Sequence, residues 1–444
     1  MSEREREATG PQRVEPPTAY RWTVLIIISL AMFANYYVFD ALAPVSQFLT
    51  EKLGYSDEQY GALFTAYNIG ALVALLLAGP VIDRIGAKRA VLLFGVIAAG
   101  AGALTAFAPG YRLMWASRAL LGIGCEPLIV AITTALAKWF RGKELSFAFG
   151  INLLIARLGS VAADRSPTWA KSFFTGWQPP LVLAAGIGLL CVVGGVLYWM
   201  LEAHAERTYS LGHEGSTDKL KMKDIMGFGA SYWYVVALCL TFYSAIFPFR
   251  SFAFKFFTEG RGTSLETAGA LNSLLPWMAM FATPLFGLLA DKVGLRATLM
   301  MAGSLILLPV YLIMAYTQVT LYLPVVLLGV AFSLIPAILW PSVAYIVEEK
   351  HLGTAYSLMT LLQQVGWGAM NWLIGWSNDH WAASAANPAG YRPGMWIFSC
   401  LGIFGLVFAF LLRRSELGQG GHGLETIKTG SKGGSEETGT GGAK

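Results

Sequence analysis

Charge is scarce in this chain: Asp, Glu, Lys and Arg make up 13% of the 444 residues, where soluble domains carry about 25%. Set against a hydrophobic content of 55%, that deficit excludes an ordinary soluble domain and points to a membrane protein. Cysteine is almost missing. The four present, Cys125, Cys191, Cys239 and Cys400, fall in apolar segments without CxxC spacing, so they read as packing residues rather than disulfides or metal ligands. The five histidines all lie in or near expected loops and the tail, which leaves no zinc site or histidine proton relay within a span. No nucleophile–base pair or metal constellation appears, so no catalytic or metal residue is assigned and the chain is not expected to be an enzyme. The net charge of +5 gives no reason to expect nucleic acid. Residues 1–20 are charged and contain proline but no signal-peptide core, so insertion is expected through the first span.

What the chain does have is long apolar runs. A helix needs about 20 apolar residues to cross the hydrocarbon core. Twelve runs qualify: 21–45, 59–82, 89–108, 112–138, 144–165, 178–201, 229–257, 265–290, 296–316, 319–346, 352–378 and 393–412. The expected fold is an all-α integral membrane protein with two pseudo-symmetric six-helix bundles at 21–202 and 229–412. A short N-terminal segment (1–20), a polar linker (203–228) and a disordered tail (413–444) complete it. Arg and Lys concentrate in the loops that follow the even-numbered spans, including Arg84, Arg89, Lys138, Arg141, Lys292 and Arg296. By the positive-inside rule both termini and the linker are cytoplasmic.

The halves echo each other. Gly79-Pro-Val-Ile-Asp-Arg-Ile-Gly-Ala-Lys-Arg89 follows the second span, and Gly287-Leu-Leu-Ala-Asp-Lys-Val-Gly-Leu-Arg296 follows the eighth. Matching hairpins in two six-helix halves are the trace of a parallel repeat. These hairpins resemble the signature loop of the major facilitator superfamily, and the 6+6 layout is similar to that family over nearly the whole chain. The resemblance implies two bundles rocking about a central cavity. It also implies a charge latch from Asp83, Arg84 and Arg89, with Asp291 a weaker counterpart.

Two charges stand where a spanning helix should have none, Glu126 in the fourth span and Arg157 in the fifth. Such groups cost roughly 2.5–3.5 kcal/mol on insertion scales unless they face a wet or paired interior. Arg118 is eight residues from Glu126, about 12 Å along a helix, too far for a direct pair. Pro127 follows the acid and frees a backbone carbonyl, a distortion tolerated where it lines a cavity. Arg157 keeps its charge and can hold a carboxylate bidentately; an interhelical bond, to Glu126 or to a carbonyl, is the structural alternative. Asp40, Arg118 and Arg250 fall in outer thirds of their spans and read as gate or brace residues. Lys255 is close enough to the surface to snorkel. Asn152, Asn272, Gln363 and Gln364 are neutral polar residues inside spans, which bond between helices or bind solute. Tyr36 and Trp340 complete the candidate binding set; tryptophans also anchor at interfaces.

A closer resemblance rests on FANYYVFD (33–40), RALLGIGCE (118–126), WFRGKELSFAFGINLLIARLGS (139–160), IFPF (246–249), NSLLPWMAMFATPLFGLLADKVG (272–294) and ILWPSVAYIVEEKHLGTAYSLM (338–359). Together they are similar to the lysosomal dipeptide-transporter branch, the major facilitator domain-containing proteins that carry dipeptides passively. In that branch a fourth-helix acid and a fifth-helix arginine bind substrate; the matching positions are Glu126 and Arg157. The chain departs from the branch at Ile69 and Gly70, where a Trp-Pro pair is usual, and at Ile132 and Thr133, where polar residues are usual. It lacks Asn-x-Ser/Thr sequons and an acidic dileucine signal, which favours a bacterial inner membrane over a lysosome.

The expected function is passive uniport of a small zwitterion, a dipeptide above all, by a monomer in the bilayer that needs no cofactor. Proton coupling through Glu126 or Asp40 is left open. Neither ExxERFxYY on the first helix nor the Gly-rich antiporter motif on the fifth is present. The alternatives are a proton-coupled carrier of organic anions such as sugar acids and, less favoured, a non-transporting receptor on the same fold.

Overall fold

The computed structural model describes residues 15–108, 110–140, 144–209, 211 and 227–428. Twelve long helices organise them: α1 Thr18–Asp40, α2 Asp57–Ile85, α3 Ala87–Ala106, α4 Tyr111–Phe140, α5 Leu145–Asp164 and α6 Gln178–Thr208 in one bundle. The second bundle holds α7 Ala230–Lys255, α8 Leu265–Val293, α9 Arg296–Tyr316, α10 Tyr322–Ile346, α11 Leu352–His380 and α12 Arg392–Leu417. Among the described residues there is no strand. By length and composition eleven of the helices can cross a membrane. The twelfth, α11, has 29 residues, about 44 Å at 1.5 Å rise, but falls short in hydropathy because it carries Gln363 and Gln364, which line the central cavity, and the buried Asn371. Outward-facing apolar side chains such as Leu77, Leu189, Phe281 and Leu285 are all more than half exposed, as a surface solvated by lipid requires.

The repeat is visible in the backbone. α2 and α3 are separated by Gly86 alone, with φ +81°. In the second bundle Gly294, the matching residue, has φ +73° between α8 and α9. Only glycine enters that region without steric cost, so the paired hairpin glycines are geometric necessities of the turn.

The face where α1 begins and α12 ends is stitched within each bundle. Glu202 at the end of α6 is fully buried. It takes Lys138 Nζ at 2.9 Å, Trp139 Nε1 at 3.1 Å and the Tyr198 hydroxyl. Glu202→Ala removes the buried carboxylate shared by Lys138, Trp139 and Tyr198, leaves Glu206 at 3.6 Å from the Lys138 ammonium, and is expected to cost about 3 kcal/mol. Thermal unfolding in detergent checks it, and an unchanged melting temperature would remove Glu202 from the supports of the fold.

Two segment expectations are corrected. The linker does not begin at 203, because α6 continues to Thr208; its stretch 212–226 lies outside the described residues. The tail is not structureless from Arg413. α12 runs to Leu417, and 418–428 folds back on the α8–α9 hairpin, burying Leu424 and Glu425. Glu425 accepts from Thr298 N at 2.9 Å and Thr298 Oγ1 at 2.7 Å, and Arg296 Nη1 donates to the Ile427 carbonyl at 2.6 Å. The low hydrophobicity of these residues concealed a segment held by polar bonds. Residues 1–14 and 429–444 lie outside the described ones.

The bundles meet most tightly at the opposite face. Gly61, Gly269 and Gly375 let backbones approach so closely that a Cβ at each would stand 2.2 Å from the carbonyl oxygen of Asn371, Asp164 and Asp57, respectively. The half of α8 nearer the terminal face, residues 277–289, has no buried residue. Packing therefore loosens from the opposite face toward the terminal one.

Candidate solute-binding site

A cavity of about 210 Å³ lies between the bundles, walled by α1, α2, α4 and α5 on one side and by α7, α10 and α11 on the other. That is below the roughly 300–1,000 Å³ typical of drug-sized ligands, so the space suits a small solute. Glu126 and Arg157 both line it. Tyr67 Oη donates to Glu126 Oε1 at 2.8 Å, and Gln364 from the other bundle lines the same cavity. Arg157 has no carboxylate partner among the described residues. Its guanidinium lies 5.6 Å from the Tyr36 ring centre and 5.5 Å from that of Phe332, a cation–π setting that leaves its N–H fork uncommitted.

Of the remaining candidates, Tyr36, Trp340, Gln363 and Gln364 line the cavity. Trp340 Nε1 is spent on Tyr243 Oη at 2.9 Å, so this tryptophan offers a ring face. Two candidates do not line it. Asn152 donates to Ser29 Oγ at 2.9 Å in the seam between α5 and α1. Asn272 donates to Asp164 Oδ1 at 2.7 Å, between α8 and α5. Both are buried; a buried amide needs a partner, and these found theirs between helices.

Above the cavity stands an ionic closure across the bundles. Arg250 Nη2 meets Asp164 Oδ2 at 2.9 Å and Nη1 meets Asp40 Oδ1 at 3.4 Å. Nearby, Lys255 is paired with Asp57 and lies 3.8 Å from Glu259. Lys255 therefore does not snorkel. It is 4% exposed, because the carboxylate of Asp57 at the start of α2 supplies the partner that water would otherwise provide. Asp379 from α11 accepts the backbone N–H groups of Asp57 at 2.8 Å and Glu58 at 2.7 Å, a carboxylate on the positive end of α2. Arg118 is buried with its guanidinium 5.3 Å from the ring centres of Phe39 and Phe64, and Nη2 is 3.4 Å from the Phe39 carbonyl, where it braces α1. On the terminal face Asp83, Arg84 and Arg89 are exposed at the α2–α3 turn, and Asp291 pairs with Arg296 at 3.1 Å.

Sequence reasoning missed Tyr67, Asp164 and the Asp57–Lys255 pair. Tyr67 carries no charge to betray it, and Asp57 and Asp164 lie at helix ends, where acids are common. The span count and the charge at mid-membrane were the available signals, and neither points to these residues.

The comparisons agree with this architecture. The family model described as Major Facilitator Superfamily matches residues 28–370 and 250–430. The zebrafish (Danio rerio) lysosomal dipeptide transporter MFSD1 is 31% identical over 368 residues, 79% of each chain. The human (Homo sapiens) protein of that name is 29% identical over 378 residues, 80% of each. A hexuronate transporter of Escherichia coli K12 is 25% identical over 179 residues, 40% of this chain and 41% of that one. Among solved structures, a bacterial homologue of the human lysosomal transporter Spinster, described as inward-facing and unoccupied, superposes with a TM-score of 0.74 at 15% identity, covering 94% of this chain and all of that one. The chain belongs to the Major Facilitator Superfamily, a family of membrane transporters rather than enzymes.

Proposed function

We propose that the protein carries dipeptides across its membrane by alternating access, as a passive uniporter. The observation that supports this most directly is the pairing, in one small cavity, of a carboxylate (Glu126) with a guanidinium that has no carboxylate partner among the described residues (Arg157). A zwitterion places an ammonium at the first and a carboxylate at the second. An organic anion neutralises only Arg157, and a neutral sugar, though its hydroxyls can hydrogen-bond to both groups, neutralises neither. The curated relatives matched over four-fifths of the chain are named as dipeptide transporters; the hexuronate relative matches less than half.

The asymmetry of the packing supports alternating access. Arg250, Asp40, Asp164, Lys255 and Asp57 close the face opposite the termini, which is the outer face if the termini are cytoplasmic, as the loop charges favour. In the opposite state Asp83, Arg84 and Arg89 are the groups placed to latch the terminal face. The localisation we propose is a bacterial inner membrane, the alternative being a lysosomal one.

The test is counterflow in proteoliposomes. Labelled alanyl-alanine is expected to exchange against unlabelled dipeptide, with no dependence on an imposed pH gradient. Exchange against galactonate or hexuronate instead of dipeptide would overturn the substrate assignment. Uphill accumulation driven by a pH gradient would overturn uniport.

A further inference from the structure

The wall of the cavity that Glu126 and Arg157 line also carries buried polar atoms without a protein partner. Gln364 and Trp367 stand one turn apart on α11; both line the cavity and are only 2% and 6% exposed. Gln364 Oε1 is buried without a partner. The Trp367 indole N–H is also buried and unpartnered, although the ring is well packed, 4.3 Å from Phe247 and 5.5 Å from Phe39 between centroids. Buried polar groups are normally paired, and an exception calls for an explanation. Here one orphan is an acceptor and the other a donor.

We propose that Gln364 Oε1 and Trp367 Nε1 form a subsite for the amide at the centre of a dipeptide, Gln364 accepting its N–H and Trp367 donating to its C=O. This rests on the zwitterion reading of Glu126 and Arg157 and narrows it to zwitterions with a central secondary amide. A trans peptide unit carries N–H and C=O on opposite edges, so standard bond and hydrogen-bond lengths require the two protein atoms to stand about 8 Å apart. Side chains three residues apart on a helix start with Cβ atoms about 5–6 Å apart, a gap that a long Gln and Trp have the reach to widen to that span. The other unpartnered atoms on the wall, Asn35 Oδ1, Ser160 Oγ and Arg250 Nε, are scattered over α1, α5 and the ionic closure and do not offer a donor and an acceptor on one helix. Because Glu126 and Arg157 belong to the first bundle and α11 to the second, an amide held this way ties the ligand to both. A free amino acid lacks the amide and cannot make that bridge.

The experiment is a ligand series on the full-length protein, with affinities from isothermal titration. Alanyl-alanine is compared with its ester isostere alanyl-lactate, which keeps both charges and the carbonyl but loses the N–H, and with its (E)-alkene isostere, which loses both. The expected order in the unmodified protein is alanyl-alanine, then the ester about tenfold weaker, then the alkene about 100-fold weaker. In Trp367→Phe the ester and the alkene are expected to bind alike, since no donor remains for the carbonyl to use. Equal binding of alanyl-alanine and the alkene in the unmodified protein overturns the subsite and leaves the zwitterion reading standing. Failure of all three to bind overturns the dipeptide reading itself. Should Trp367→Phe not fold, the series in the unmodified protein decides alone.

Discussion

Glu126→Gln and Arg157→Ala, made separately, are each expected to weaken binding of an alanyl dipeptide by more than about 100-fold. Truncating one partner of a buried, hydrogen-bonded charge pair typically costs about 2–5 kcal/mol, and about 2.8 kcal/mol is 100-fold. The size follows from the surroundings. Arg157 has rings rather than a carboxylate beside it, so a bound carboxylate meets a guanidinium with its fork free. Glu126 is held by Tyr67 and keeps lone pairs for an ammonium. Gln at 126 preserves the volume while removing the charge and turning one acceptor oxygen into an N–H donor, so the loss it reports is electrostatic rather than one of packing. Titration of the two variants checks this, and unchanged dipeptide affinity in either removes that residue from the site. A Glu126→Gln variant that keeps its affinity but loses a pH dependence of transport would make Glu126 a proton carrier instead.

The second large effect is expected at residues that never touch solute. Gly61 on α2 packs on the Asn371 carbonyl of α11, and Gly269 on α8 packs on the Asp164 carbonyl of α5. A methyl at either position meets a backbone oxygen at 2.2 Å, so the helices must part. Overpacking costs about 1–3 kcal/mol a site, and distant sites add. Gly61→Ala combined with Gly269→Ala therefore shifts the balance between closed and open states at this face by about 1,000-fold, taking 2 kcal/mol a site. Transport should fall accordingly while dipeptide binding survives. A cysteine introduced in place of Ser160, on the cavity wall, should become reactive to an impermeant thiol reagent from the face opposite the termini. No gain in labelling in the double-alanine background would mean that these contacts do not close the cavity.

The architecture was legible because membrane spans announce themselves by length, and the paired hairpins by repetition. The two central charges were legible for the same reason: a Glu and an Arg at mid-membrane have no bland place to be. Polar residues without charge were harder. Asn152 and Gln364 look alike in sequence, each an amide inside an apolar helix, yet one closes a seam and the other faces the cavity. Periodicity says that both avoid lipid and cannot say which void they face. Lys255 failed differently. Its partner Asp57 lies 198 residues away in the chain, and no local pattern records a pairing between bundles. The tail residues 418–428 were misread because composition tracks hydrophobic burial and is blind to a segment held by Glu416, Glu425 and Arg296.

The polarity of α11 also bears on how the chain is made. A nascent segment enters the bilayer when its summed apolar transfer energy favours lipid, and α11, alone among the twelve helices, falls short of the hydropathy that its neighbours reach. What retains it in the membrane is company: Thr65 of α2 donates to the Gly368 carbonyl at 2.8 Å, and Tyr232 of α7 donates to the Ala355 carbonyl at 2.9 Å. The helix richest in solute-facing polar groups is thus the one bonded to helices made before it in both bundles, α2 of the first and α7 of the second.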